Sequence, residues 1–393
     1  DANTNVLITD GVNVIENSTS GSGGGIYNKG TLKMSGGTVN QNIALTGAGI
    51  YNTGKLFIYG NTMIGEDDSA YSEENKIATS TSYGNKASYY GGGIYNTNSA
   101  LLALGYSAYT SESVNTPADF TGKICRNYAG GSSGGISATS SSVVINSGTI
   151  SYNSANYYSS GVTVCGYSGS KFIMNGGSIE HNKAPYGAGL YISDEGNVTI
   201  NGGSISYNTA TDSSKGGGGI YLYKSSSYTA TLNLYGATIS NNTAESSKGG
   251  AIYAMSGCTF NLKGSAYIPY GVDGTTGAGK NDVYLTDGMT VTIAGALTPP
   301  SECTDGIIAT ITPYTYSTDT AVLALSTSPA PNPTTTLAAE CGKFGVIPDS
   351  GQDWFVGIDG NLTDSRNIAV LISSEELSDF ILRFEKEIYS RQK

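Results

Sequence analysis

A single histidine, His181, is available to this chain of 393 residues. Any Ser-His-Asp relay would have to be built on it, and no second histidine exists to shuttle a proton. His181 falls two residues after a strand-like Ile179, in a column shared by Gln41, Arg126, Tyr152, Tyr207 and Asn241. That column is polar and variable, which places His181 on an outer surface. The acidic pair Asp67-Asp68 sits in an irregular stretch with no histidine beside it, and Arg391-Gln392-Lys393 ends the chain. In the regular part, Glu180, Asp194, Glu195, Asp212 and Glu245 are isolated and recur at no common position, so they form no ladder of hard oxygen ligands for calcium. The five cysteines, Cys125, Cys165, Cys258, Cys303 and Cys341, lie far apart without CxxC spacing, and most of them read as small buried apolar residues. Glycine runs such as Gly216 to Gly219 precede strands and lack a following Lys-Ser/Thr, so they are no phosphate cradle. The residue types thus assign no catalytic group, no metal site and no cofactor.

The chemistry that does repeat is aromatic. Gly23 to Asn28 reads Gly-Gly-Gly-Ile-Tyr-Asn, and it returns at Gly47 to Asn52 and at Gly91 to Asn96. Weaker copies follow at Gly134, Gly187, Gly217 and Gly249, with a faded one at Asp282-Val283-Tyr284. Tyr27, Tyr51, Tyr95, Tyr191, Tyr221, Tyr253 and Tyr284 each follow an apolar residue, so strand alternation turns them outward. A stripe of rings stabilises adjacent strands, and it can also lie against sugar rings. Candidate ligand-binding residues are therefore Tyr191, Tyr221 and Tyr253 of the stripe. Tyr71, Tyr83, Tyr89, Tyr90, Tyr106 and Tyr109 of the long intervals join them.

The elements that position these rings follow from the unit's grammar. After Ile26-Tyr27 come Leu32 and Met34 alternating with Lys33, then Gly36-Gly37, Val39, Asn42 and Ala44. Three short alternating pieces separated by turn residues predict three short strands per unit. Units recur at roughly 24 to 32 residues, which suits a coil of a parallel solenoid. The predicted fold is all-β: a right-handed parallel β-helix of about nine coils over residues 1–297. A β-rich C-terminal extension, 298–372, caps it, and an amphipathic helix covers 373–393, where Ser373 and Glu376 form a capping box. Asn42, Asn127, Asn153, Asn182, Asn208 and Asn242 fall at one turn and predict a hydrogen-bonded ladder, with Asn tolerating the left-handed conformation there. Two long insertions, near 66–83 and 105–123, both follow the second strand and are expected to leave the same edge side by side. Insertions in repeat proteins commonly form the binding face.

The alternation of Gly-Gly-x-Ile, as in Gly249 to Ile252, with Ile-x-x-Asn, as at Ile179 to Asn182, is similar to the repeats of chlamydial-type polymorphic outer-membrane proteins. More broadly, residues 12–297 resemble the pectin-lyase-like right-handed β-helices of bacterial surface and secreted proteins. That resemblance implies an adhesin or surface role, or in other members polysaccharide cleavage. Lyases of the group carry clustered Asp residues with a basic proton acceptor, and its hydrolases carry paired Asp residues with Gly-His-Gly and Arg-x-Lys motifs. Here the Asp67-Asp68 pair lies in an insertion without a histidine, Arg391-Gln392-Lys393 falls in the expected helical tail, and Gly-His-Gly is absent. The net charge of −11 disfavours nucleic acid, and no apolar run is long enough to span a bilayer. The expected protein is a non-catalytic, secreted or surface-exposed bacterial adhesin-like monomer, not an enzyme. It binds a host or matrix protein or polysaccharide through its loops. The competing readings are a carbohydrate-active enzyme and a glycan-binding module using the tyrosine stripe.

Overall fold

The computed structural model describes residues 4–364, except 110–114, 167–168 and 226 and the side chains of residues 109 and 115. The expected helix at 373–393, with Arg391 and Lys393, and the side chain of Tyr109 lie outside these residues.

The chain is all-β and is organised as four long parallel sheets. The first has 11 strands, from Ile26–Asn28 through Ile50–Asn52, Ile94–Thr97, Ile136–Thr139 and Val162–Cys165 to Phe344–Val346. The second, also of 11 strands, runs from Asn5–Ile8 to Leu323–Leu325. The third has 8 strands, Asn13–Ile15 to Thr238–Ser240, and the fourth has 7, Ile43–Thr46 to Thr243–Ala244. The chain visits the sheets in that order, and each strand pairs with its equivalent from the neighbouring repeat. Identical columns therefore form: Ile26 opposes Ile50 and Tyr27 opposes Tyr51, while Leu32 opposes Leu56 and Met34 opposes Ile58.

The fourth sheet was not expected. Its strands are mostly two residues long, such as Thr209–Ala210, too short to display an alternation. Their inward residue is a small one: Ala44, Ala87, Ala129, Ala184 and Ala210 are all buried. The remaining core comes from Ile, Leu, Val and Met columns of the other three sheets. Each such side chain contributes about 1.5–3 kcal/mol on burial, which no isolated repeat could accumulate in sufficient number.

Close stacking explains the glycines. Gly23, Gly47 and Gly91 have φ of 74°, 59° and 65°, a region costly for a side chain. A Cβ on Gly49 would stand 2.5 Å from the Gly93 carbonyl oxygen.

Two boundaries differ from the expectation. The stack does not end near Leu297, because Ala309–Pro313 and Phe344–Val346 extend the first sheet and Leu323–Leu325 extends the second. Only the third and fourth sheets stop, at Ser240 and Ala244. The short helix Leu337–Glu340 then packs beside Val291–Leu297. Its buried Glu340 is 2.8 Å from the Lys343 ammonium and accepts the backbone N–H of Leu297. The insertions also leave from different corners. Residues 66–84 follow the third strand, Met63–Gly65, whereas 105–122 separate the second strand, Leu101–Leu104, from the third, Lys123–Cys125.

Candidate functional site

The turn between the third and fourth sheets carries the asparagine ladder. Asn42, Asn85, Asn127, Asn153, Asn182, Asn208, Asn242 and Asn281 are buried, and each from Asn42 to Asn242 gives its side-chain amide to the Oδ1 of the next. Each Oδ1 also accepts a backbone N–H, as Asn208 Oδ1 does from Asn182. Asn85 had no visible place in the sequence pattern because the first insertion moves it 43 residues from Asn42. The left-handed residue of this turn is not the asparagine but its predecessor: Gln41, Arg126, Tyr152, His181, Tyr207 and Asn241 have φ of 52–55°. That conformation projects their side chains outward as a second column. His181 lies flat between Tyr152 and Tyr207, with both ring centroids at 4.9 Å. It is a stacked spacer, with no carboxylate set against it by any hydrogen bond or ion pair described.

Arg126 in this column is fully buried, because the first insertion folds over it. Its guanidinium donates to the carbonyls of Asn75 and Lys76 at 2.6 and 2.5 Å and to the Ser82 hydroxyl at 2.7 Å. Glu66 is 3.4 Å away, and the ring of Tyr71 lies over the guanidinium at 3.4 Å. The Asp67-Asp68 pair belongs to the same clasp. Lys123 bonds Asp68 and stands 3.8 Å from Asp67, and Lys76 is 3.9 Å from Asp68. The Ser69 hydroxyl, donating at 2.7 Å, holds the Asp67 carboxyl below the usual carboxylate range. These carboxylates are thus occupied in tying the insertion to the strand Lys123–Cys125. Beside the clasp, Gln41, Glu66, Tyr71, Thr81, Ser82 and Tyr83 line a polar depression of about 310 Å³.

The second insertion is a hairpin in which Tyr106–Tyr109 pairs antiparallel with Asn115–Pro117. Tyr106 is buried against Phe57, Ala103 and Val144 on the outer face of the second sheet, so it is a packing residue and not an exposed contact.

The tyrosine stripe is only partly exposed. Tyr27, Tyr51 and Tyr95 stack at centroid distances of 4.8 and 5.3 Å, and Tyr27 stands 49% exposed. Tyr191, Tyr221, Tyr253 and Tyr284 form a second stack, with Tyr221 and Tyr253 parallel at 4.7 Å. Here the expectation of an open stripe fails, since Tyr191 and Tyr221 are 5% and 3% exposed. Tyr186 and Tyr223 from the adjoining turns lie over them. Burial accordingly raises the phenol pKa of both.

Between the two stacks the column changes identity. Register places Ser137 opposite Tyr95 and Thr163 opposite Tyr191. Two successive rings are missing, and the space they leave is a cavity of about 240 Å³. Tyr90 and Tyr95 form one wall and Tyr158 the other; Ser133, Ser137, Thr139 and Thr163 contribute hydroxyls, and Asp194 and Cys165 lie at one end. Tyr158 leans on Tyr191 at 4.5 Å, and burial pushes its phenol up to about 12. Of the residues read from the sequence, the structure brings Tyr90 to this cavity, with the Tyr89 ring centroid 6.2 Å from that of Tyr90, and Tyr71 and Tyr83 to the depression on the first insertion. Tyr253 stays within the second stack. Sequence reading missed Ser137 and Thr163, although they were visible as Gly135-Ile136-Ser137 and Gly161-Val162-Thr163 where other repeats carry tyrosine. Among the described residues, no cluster of three or more His, Cys, Asp or Glu could hold a metal ion. Compared with protein-family models, curated proteins and solved structures, the chain has no significant match.

Proposed function

We propose that the four sheets wind as a right-handed parallel β-helix and that this rod is a non-catalytic binding protein. On this reading it is an adhesin-like monomer at a bacterial surface or secreted from one, holding pre-formed loops against a host or matrix ligand. The observation that carries the proposal is the first insertion. A loop of this length would ordinarily lose much conformational entropy on binding. Arg126, Tyr71, Lys123 and Asp68 have already fixed it on the third sheet, and the polar depression at Tyr71 and Tyr83 opens beside that clasp. Both cavities described above also lack the facing carboxylates that glycoside hydrolysis uses: Glu66 is the one acid of the first and Asp194 the one acid of the second.

The test is solid-phase binding of the purified chain to cultured host cells and to immobilised matrix glycoproteins. Tyr83→Ala and the exposed change Ser80→Arg alter the depression and its surroundings without touching the Arg126 clasp. Reduced binding with an unchanged circular dichroism spectrum supports the loop as the contact surface. Binding that is absent in the unaltered chain, or release of unsaturated oligosaccharides from uronic-acid polymers, refutes the proposal. Excising 66–83 is a poor substitute, because it strips the partners from a fully buried guanidinium.

A further inference from the structure

The cavity at the break in the tyrosine column has a composition that the stacking role does not explain. Every other position of this column from Tyr27 to Tyr284 carries a ring that packs on its neighbours. Packing alone favours continuing the stack through the two middle repeats. Instead Ser137 and Thr163 stand there, and Tyr90, Tyr95 and Tyr158 line the gap. Strands repeat at about 4.8 Å, so Tyr95 and Tyr191 are separated by about 14 Å. Tyr158 fills part of that distance from the turn side, leaving about 240 Å³ between it and the Tyr90–Tyr95 pair.

We propose that this cavity is a binding subsite for one pyranose ring of a neutral or amine-bearing glycan; the proposal names a site and ligand class within the binding role given above. Four observations support it. The volume is below the roughly 300–1,000 Å³ of ordinary small-molecule pockets, the size of a single ring and not of an extended ligand. The walls include three tyrosine rings, Tyr90, Tyr95 and Tyr158, aromatic surface of the kind that packs against the C–H groups of a sugar. The floor is hydroxyls, which donate and accept alike and so suit a ligand that is itself a set of hydroxyls. Ser133 already donates to Thr163 at 2.6 Å, holding that hydroxyl in place. The one acidic side chain in the lining is Asp194, fixed by the Ser193 hydroxyl at 3.0 Å, and no basic side chain accompanies it. A carboxylate without a cationic partner repels a uronic acid and attracts an ammonium or a neutral hydroxyl.

The test uses isothermal titration with three probes of equal length: cellotetraose, a fully deacetylated chitosan tetramer, and tetragalacturonate. The unaltered chain is expected to bind the first two, and the tetragalacturonate at least about tenfold more weakly. The paired change Ser137→Tyr and Thr163→Tyr restores the column with the residue that neighbouring repeats already carry, so it fills the cavity in a fold that tolerates it. It is expected to abolish binding while leaving the melting temperature equal or higher. Asp194→Asn keeps the cavity open and is expected to weaken the chitosan tetramer by about tenfold or more and to narrow the discrimination against tetragalacturonate. Should the filled variant misfold, Tyr158→Ala removes one wall and is expected to lose binding of both favoured probes. Retained binding in the filled or Tyr158→Ala variant overturns the site, as does a preference for tetragalacturonate. No binding of any probe by the unaltered chain at millimolar concentration overturns it too, while the loop-mediated binding role stands or falls separately on Tyr83→Ala and Ser80→Arg.

Discussion

Replacing Asn208 by Ala should be among the most damaging single changes in the stacked sheets. Asn208 is fully buried. Its side-chain amide donates to Asn242 Oδ1, to the Ile179 carbonyl and to the Ser206 carbonyl at 3.0, 2.9 and 3.0 Å. Its Oδ1 accepts from the backbone and side-chain amides of Asn182, both at 3.0 Å. Most of those partners keep another bond after truncation: Asn182 Nδ2 still reaches the Ile150 and Glu180 carbonyls, and Asn242 Oδ1 still accepts the Asn208 backbone N–H. The Asn182 backbone N–H keeps none. An orphaned buried N–H costs about 1–3 kcal/mol, and each lost neutral hydrogen bond about 0.5–1.5 kcal/mol. Allowing for non-additivity, the expected destabilisation is about 3–5 kcal/mol. A stack of repeats need not unfold in one step, so the sharper assay is hydrogen exchange of the Asn182 amide. A local loss of about 3 kcal/mol accelerates it roughly a hundredfold. The control is Asn201→Ala, which removes an exposed amide-to-Asn175 bond of 2.9 Å and should cost no more than about 0.5 kcal/mol. A destabilisation under about 1 kcal/mol, or Asn182 exchange equal to the control, would refute the ladder as a source of stability.

Other consequences follow from individual burials. Arg126→Ala frees the first insertion, so limited proteolysis should cut within 66–84 well before the unaltered chain is cleaved anywhere; equal resistance would show that Lys123 and Asp68 suffice to hold it. The thiol of Cys125 is pushed up to about 12 by burial, so a disulfide reagent at pH 8 should leave it unmodified until denaturant is added. Asp282 is fully buried and burial raises its pKa, against the opposing bonds from the Thr312 hydroxyl and the Gly250 and Gly279 amides. Its contribution to stability is therefore full below about pH 4 and is lost as the pH rises through its raised folded-state value. The stability difference between the unaltered chain and Asp282→Asn, followed by thermal melts from pH 4 to 8, should shift against the unaltered chain as the pH rises, and a flat difference would contradict this.

The repeating alternation alone determined that the chain is built of short strands in register, which rows of apolar residues form the core, and that the Asn42-to-Asn242 column forms a ladder. Those features depend on period and on residue type, and both are local. The fourth sheet stayed hidden because a two-residue strand with one inward alanine has no period to detect. Tertiary structure also decided which outward residues remain outward. Arg126 and His181 share a sequence column and a backbone conformation. Yet Arg126 is fully buried because an insertion leaving the same corner of the preceding repeat folds back over it, while His181 is flanked by the rings of Tyr152 and Tyr207. Likewise Tyr27 and Tyr221 occupy one column, yet Tyr27 ends its stack against Tyr51, whereas Tyr221 lies between Tyr191 and Tyr253 with Tyr186 and Tyr223 packed over it, which separates the exposed ring from the buried one. The cavity lies between these levels. Its floor, Ser137 and Thr163, is a substitution written in the sequence, whereas its walls exist because stacking brings Tyr95 and Tyr158, 63 positions apart in the chain, to either side of one gap.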